Sequence, residues 1–176
     1  MIQFEHNPEY SKLISEISLD APLTEVFDFF SKAENLERLT PDFLNFKILT
    51  PLPIVMNEGV KIDYSIKLFG FPLKWRTLID QWVPNSHFVD IQIKGPYSLW
   101  HHTHSFQEKS YQNSKGEIKT YVLMTDTVKY QVPLSRFIIG FIAKKLFVEP
   151  NLKTIFNYRR DKITSIFKEF NSNLSD

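Results

Sequence analysis

The chain has 176 residues, 43% of them hydrophobic, and its 21 basic and 20 acidic residues leave a formal net charge of +1. This length fits one domain of ordinary size, so we expect residues 1–176 to form a single domain. A balanced charge provides no field that attracts nucleic acid, so no nucleic-acid partner is predicted. The absence of cysteine fits a reducing compartment, and the first ten residues lack the pattern of a signal peptide. We therefore expect a cytoplasmic protein.

Periodicity predicts the elements of the first half of the chain. A strand is predicted at 13–19 and is followed by two short helices, one that begins near Pro22 and one at about 33–39. After a short strand at 46–49, the strictest alternation of apolar and polar residues spans 60–68. This alternation is typical of a strand with one buried face.

The second half of the chain predicts a sheet closed by one long helix. Four more strands are predicted at 73–83, 88–94, 99–107 and 120–130, and Pro150 begins a helix that extends to about residue 170. The turns between these strands are short, which requires antiparallel neighbours because parallel pairing needs a long crossover. We therefore predict an α+β fold, in which a curved antiparallel sheet of about six to seven strands wraps around the C-terminal helix, with two short helices after the first strand.

Two histidines share one face of the strand predicted at 99–107. Trp100, His102, His104 and Phe106 point to the same side because successive side chains of a strand alternate. Imidazoles on such an apolar face either hydrogen-bond the polar end of a ligand and move a proton, or are satisfied by neighbouring strands and buried water. The sequence leaves both interpretations open.

The spacing of His102 and His104 also raises the question of a metal ion, since imidazoles two residues apart on one strand face can converge on an ion. A zinc site needs a further ligand, and Asp126 is the obvious candidate in the sequence. On the sequence alone we favour the interpretation without a metal, and no cofactor is predicted. The chain has no cysteine, no Gly-x-Ser-x-Gly motif and no phosphate-binding glycine loop, so no catalytic residue is assigned.

Two charged residues occupy positions that periodicity predicts to be buried. Asp126 shares a strand face with Val122 and Met124, and Arg159 falls in the apolar stripe of the last helix beside Phe156. A lone buried charge is costly, and an arginine fork suits a carboxylate, so we predict that Arg159 pairs with Asp126 or with an acidic ligand. The alternative is that Arg159 extends to solvent and Asp126 accepts backbone hydrogen bonds.

The order of elements and several segments resemble the SRPBCC superfamily, the START-like, helix-grip group that includes polyketide cyclase-like and lipid-transfer-like proteins. The segments are 20–27 (DAPLTEVF), 95–106 (GPYSLWHHTHSF), 124–130 (MTDTVKY) and 156–159 (FNYR), and they are similar to those of small bacterial ligand-binding members. The resemblance implies the fold described above and an internal cavity for an apolar or amphipathic molecule. It does not imply one chemistry, because the superfamily mixes carriers, sensors and enzymes.

The 16 Phe, 7 Tyr and 3 Trp fit either a filled aromatic core or a cavity lined by aromatic rings. The resemblance favours the cavity, so we predict a carrier or sensor of a hydrophobic small molecule that is lipid- or polyketide-like. The alternative is a cyclase- or hydrolase-like enzyme acting on an aromatic substrate in the same cavity. The residues predicted to line it are Ile62, Tyr64, Trp75, Trp100, His102, His104, Phe106, Val122, Met124, Asp126, Phe137, Phe141, Phe156 and Arg159.

An apolar segment at 134–147 follows helical spacing around Gly140 and is predicted to form a flap over the cavity mouth. It is shorter than a membrane-spanning helix and contains Lys144 and Lys145, so no transmembrane segment is predicted. A third hypothesis is an interaction module in which this segment lies on a membrane or a partner protein, as a transient surface contact.

Overall fold

The computed structural model describes residues 2–68, 70–133 and 144–170, and strands are the most abundant element of this part of the chain. They are β1 (Ile2–His6), β2 (Ser11–Leu19), β3 (Lys47–Ile48), β4 (Lys61–Leu68), β5 (Phe71–Val83), β6 (His87–Lys94), β7 (Leu99–Gln112) and β8 (Ile118–Gln131). They build one antiparallel sheet with the spatial order β1-β2-β8-β7-β6-β5-β4-β3. The predicted α+β class and antiparallel sheet are confirmed.

The sheet has eight strands, which is more than the six to seven predicted. The additional strand is β1, which alternates apolar and polar residues but contains only five residues. It is held as an edge strand by a tight turn to β2, in which the side chain of Asn7 accepts hydrogen bonds from the backbone N–H groups of Glu9 and Tyr10. Local turn chemistry therefore fixes this short strand beside β2.

The helices lie between β2 and β3 and at the C-terminal end of the described chain. They are α1 (Leu23–Phe30), α2 (Asn35–Arg38), a 3-10 turn (Asp42–Leu44) and α3 (Glu149–Ile166), which a π-helical turn (Lys144–Val148) precedes. The buried residues of α3 are Leu152, Phe156, Arg159 and Ile163. Steps of three and four residues place them on one helical face, as predicted. None of the helices described is long and apolar enough to span a membrane.

The long helix ends earlier than the predicted residue 170. Phe167 has extended backbone, and Glu169 forms an isolated antiparallel bridge with Leu19. Phe170 consequently leaves the helical stripe and stacks on the ring of Tyr121, with 4.2 Å between ring centroids. Because Tyr121 has the opposite parity to the buried positions of β8, which begin at Val122, this stacking occurs on the outer side of the sheet.

The sheet bends around α3, and its inner face has two ends that differ. The register between β5 and β6 shifts at two points, between Arg76 and Thr77 and between Ile79 and Gln81, and such bulges increase local bending. At one end, α1 packs against β7 and β8 and fills the interior. We call this the filled end, defined by Val26, Phe27, Phe106, Val122, Met124 and Ile163. At the other end, the hollow end, the same face borders a cavity.

Candidate functional site

The hollow end contains a cavity of about 200 Å³ between α3, the short helices and the strands β4 to β7. Its walls are mainly aromatic and aliphatic, and they include five of the residues predicted to line a cavity: Ile62, Tyr64, Trp75, Trp100 and Phe156. One wall differs, because side chains of Asp90, His102, His104 and Arg159 reach it. An apolar space with a few polar groups on one side is typical of a site for a small molecule.

Tyr64, Trp75 and Trp100 form an aromatic wall of the cavity, and the polar atoms of Tyr64 and Trp75 are hydrogen-bonded. Tyr64 and Trp75 stack with 5.8 Å between centroids, and Trp75 meets Trp100 edge to face at 5.3 Å. Thr77 Oγ1 accepts a hydrogen bond from Trp75 Nε1 at 3.1 Å and lies 3.0 Å from the hydroxyl of Tyr64. Burial raises the pKa of Tyr64 well above its ordinary value, so its phenol is neutral.

The polar wall is built on three neighbouring strands and one helix. Asp126 of β8 lies directly opposite His104 of β7, and Asp90 of β6 lies directly opposite His102 of β7. Arg159 reaches them from α3, where its side chain lies on the buried face. Cross-strand pairing and the helical stripe therefore bring these five side chains together, and we call them the charged cluster.

Asp126 is the centre of the contacts in the charged cluster. Its Oδ1 lies 2.8 Å from His104 Nδ1 and 2.9 Å from His102 Nε2, and its Oδ2 accepts a hydrogen bond from Arg159 Nε at 3.2 Å. The predicted pair of Arg159 and Asp126 is thus present, and both side chains are buried. Burial alone would raise the pKa of Asp126, but Arg159 and the two histidines outweigh it and hold this pKa well below its ordinary value.

Asp90 is a member of the cluster that the sequence pattern did not reveal. Its Oδ2 lies 2.9 Å from His104 Nε2 and 3.6 Å from His102 Nδ1. By sequence, Val89 and Ile91 mark the apolar face of β6, and this pattern predicts that Asp90 lies on the opposite, outer face. In the structure Asp90 lies on the inner face, where it is part of the polar wall of the cavity. The position of Asp90 follows from the register of β6 and β7, which sets it beside His102. The periodicity of a single sequence does not give this register.

The two histidines of the cluster differ in protonation. Burial lowers the pKa of His104, but its hydrogen bonds to Asp126 and Asp90 outweigh burial and raise this pKa above the ordinary 6.5. Both ring nitrogens of His104 face carboxylate oxygens, which only accept, so these contacts favour the imidazolium. Arg159 Nη2 also lies 3.4 Å from His104 Nδ1, and this contact between two donors opposes it. For His102, burial and the neighbouring charge of His104 lower the pKa, so its ring is neutral.

The charges of the cluster therefore balance. Two carboxylates face one imidazolium and one guanidinium, so no net charge is buried at this wall. Arg159 also stacks over the ring of Phe30, with its Cζ 5.3 Å from the ring centroid. Within the part of the chain that the structure describes, Arg159 Nη1 has no hydrogen-bond partner, although the side chain lines the cavity.

Three residues predicted to line the cavity belong to the filled end instead. Phe106, Val122 and Met124 point to the inner face, as their parity predicted, but they are buried in a cluster with α1 and do not border the cavity. Asp126 also stands behind the cavity wall, in contact with the residues that form it. Parity identifies the face of a strand but not what covers that face. Phe137, Phe141 and the segment 134–143 of the predicted flap lie outside the described residues.

A long C-terminal helix held against a curved antiparallel sheet, with a cavity between them, defines the helix-grip class of START-like proteins. The profile of the family described as polyketide cyclase / dehydrase and lipid transport matches residues 19–149. The chain belongs to this family, and with it to the SRPBCC superfamily that its sequence resembles. A comparison with curated protein sequences finds no match.

Solved structures share this fold at low sequence identity. Protein Ms6760 from Mycobacterium smegmatis has a TM-score of 0.60 at 11% identity, over 94% of this chain and 97% of that one. A START superfamily protein from the same organism has a TM-score of 0.60 at 12% identity, over 88% and 98%. Ginseng major latex-like protein 151 from Panax ginseng has a TM-score of 0.58 at 10% identity, over 90% and 98%. At these identities the similarity establishes the fold alone.

Proposed function

We propose that this protein binds an amphipathic small molecule in the cavity and acts as its carrier or sensor. The observation that carries the proposal is the cavity of about 200 Å³, whose lining is mainly aromatic and aliphatic and whose buried charged side chains belong to the charged cluster. Pockets for drug-sized ligands measure roughly 300–1,000 Å³, and an apolar cavity of about 150 Å³ accepts benzene. The ligand is therefore small, with a body equivalent to one or two rings or a short acyl chain.

The arrangement of the walls supports one orientation of this ligand. Its apolar body would lie against Tyr64, Trp75 and Trp100, and its polar end would face Arg159, whose Nη1 has no partner among the described residues. Because the two carboxylates of the cluster are already balanced, a third carboxylate, on the ligand, would bury an uncompensated charge. A ligand with a neutral acceptor, such as a ketone, ester or amide carbonyl, fits this wall better than a free acid.

A second candidate function rests on the two histidines. A charged His104 next to a neutral His102, each bound to Asp126, provides a proton donor and a proton acceptor on one wall of the cavity. Such a pair would serve a cyclase- or hydrolase-like enzyme that moves protons on an aromatic, polyketide-like substrate. We rank this second, because a cluster whose groups satisfy one another also has a purely structural use.

Native mass spectrometry of freshly purified protein tests the proposal. A carrier should show an added mass that is released on denaturation, whereas an enzyme should show protein alone together with turnover of candidate aromatic substrates. Ile62→Trp should remove the added mass, because Ile62 lines the cavity. Ile118→Trp is the matched control, since Ile118 is exposed on β8. If wild type shows neither a bound mass nor turnover, and binds no apolar fluorophore, the proposed function is wrong.

A further inference from the structure

Three side chains of the charged cluster direct donor atoms to one point on the cavity wall. They are Asp90, His102 and His104, and one potential ligand atom from each lies within 4.8 Å of those of the other two. We infer that these residues bind a divalent transition-metal ion, with two imidazoles and one carboxylate as its protein ligands. This inference goes beyond the proposed function and does not require the hydrophobic ligand.

The spacing of the donor atoms fits such an ion. Zinc binds imidazole nitrogen and carboxylate oxygen at about 2.0–2.2 Å, which in a tetrahedral site separates neighbouring ligand atoms by about 3.3–3.6 Å. Asp90 Oδ2 lies 2.9 Å from His104 Nε2 and 3.6 Å from His102 Nδ1. These values bracket the required spacing, so small side-chain rotations would accommodate the ion.

The ring nitrogens that face away from Asp90 supply an independent observation in favour of a metal site. Metal-binding histidines commonly donate their second ring N–H to a carboxylate, which fixes the ring and makes the first nitrogen a better ligand. Here His102 Nε2 and His104 Nδ1 both contact Asp126 Oδ1, at 2.9 and 2.8 Å. The opposite nitrogens of the two rings therefore both turn towards Asp90. One carboxylate holds both rings in the orientation that a metal requires.

Arg159 completes this support without competing for the ion. Its Nε donates to Oδ2 of Asp126, which is the oxygen that does not contact the histidines. The guanidinium thus balances Asp126. When the ion binds, His104 Nε2 releases its proton to solvent, because imidazole ligates a metal as the neutral ring, and the charge of Asp90 then faces the ion. In the sequence Asp126 is the candidate third ligand; the structure gives that role to Asp90 and places Asp126 behind the histidines.

The position of the cluster leaves one side of the ion without a protein ligand. Asp90, His102 and His104 border the cavity, whereas Asp126 does not. A site with three protein ligands keeps at least one coordination position for water or a ligand atom. That position would face the cavity, where the carbonyl oxygen of a bound molecule could reach it.

Titration of chelator-treated protein with Co²⁺ and Zn²⁺ tests the inference. We expect one ion per chain, and visible absorption bands of Co²⁺ in a four- or five-coordinate site. Asp90→Asn and His102→Gln should lose these bands. Asp126→Asn should retain the site but bind about 10–100-fold more weakly, since it removes only the support of the rings. His101→Gln is the matched control, because His101 lies on the same strand with the opposite parity and should bind as wild type does.

X-ray absorption of the wild-type zinc complex needs no variant and covers the case in which a substitution prevents folding. We expect two imidazoles in the first coordination sphere. A wild-type protein that takes up no Co²⁺ or Zn²⁺, an absorption spectrum without imidazole, or unchanged binding in folded Asp90→Asn would each overturn the inference. Because no hydrophobic molecule is present in these titrations, such a failure would leave the proposed carrier function standing.

Discussion

The two ends of the inner face use the same kinds of residues with opposite results. At the filled end, α1 places Phe27 and Phe30 on Phe106, each with 5.4 Å between ring centroids. At the hollow end, Tyr64 and Trp75 stack along the wall and leave about 200 Å³ open. Both ends are aromatic, so the position of α1, and not the composition, decides where this protein is hollow.

The charged cluster lies where the two ends meet. Phe88 stacks on His104 with 4.3 Å between ring centroids and lies 6.1 Å from Phe106 of the filled end. The cluster therefore has packed side chains on one side and the cavity on the other. This position gives it rigid support and access to a small molecule, which are the two conditions that a binding site needs.

Substitutions that break the charged cluster should lower the free energy of unfolding the most. Arg159→Met removes the cation that faces Asp126, and loss of one partner of a buried pair costs about 3–5 kcal/mol. Asp126→Asn should also destabilise, and the double variant should show a coupling energy of about 0.5–3 kcal/mol. Urea denaturation of the four proteins measures this. Strictly additive effects would contradict the pairing.

Overfilling the filled end should have the next largest effect. Val122 is 1% exposed and packed in the cluster with α1, so Val122→Phe should destabilise by about 1–3 kcal/mol through overpacking. Met124→Leu keeps the volume at a neighbouring position and should cost less than about 1.5 kcal/mol. If Val122→Phe is as stable as wild type, this end of the interior has space that the structure does not show.

A larger side chain at the hollow end should lower the free energy of unfolding less than one at the filled end. Ile62 lines the cavity, so the larger ring of Ile62→Phe has room and should change the unfolding free energy by less than about 1 kcal/mol, below the overpacking range. The comparison with Val122→Phe under the same denaturation conditions isolates the difference between the two ends. Equal losses for the two variants would mean that both ends are filled.

The smallest effect is expected at a surface pair with the same chemistry as Arg159 and Asp126. Arg76 donates from Nε and Nη2 to both oxygens of Asp63, at 2.6 and 2.8 Å, but the side chains are 47% and 40% exposed. Water and salt screen such pairs, so Asp63→Asn should leave stability nearly unchanged. A loss as large as that of Arg159→Met would show that burial is not what strengthens the inner pair.

The pH dependence of this surface pair has a definite sign. The hydrogen bond from Arg76 lowers the pKa of Asp63 below its ordinary 3.8. Any stabilisation is therefore present above pH 3.8 and is lost as the pH falls through the lower pKa of the folded state. Wild type and Asp63→Asn should converge in acid and in high salt, as measured by thermal denaturation.

Periodicity predicts which faces of the strands and the helix are buried, and for this reason Arg159, Asp126 and the two histidines could be found in the sequence. Asp90 could not, because the outer face of β6 is the more apolar one by sequence, and only the register with β7 shows its place. Val122 was assigned to the cavity because parity does not reveal that α1 covers it. Both errors concern contacts between different elements, which the periodicity of a single element does not contain.

The central claim is that the hollow end accepts a small molecule. Titration with an environment-sensitive aromatic fluorophore, such as 1-aminoanthracene, tests this claim most directly. We predict saturable binding of one fluorophore per chain to wild type and to Met124→Leu, and no binding to Ile62→Trp, whose side chain fills the cavity. Unsaturable fluorescence, or the same binding by Ile62→Trp as by wild type, would contradict the account.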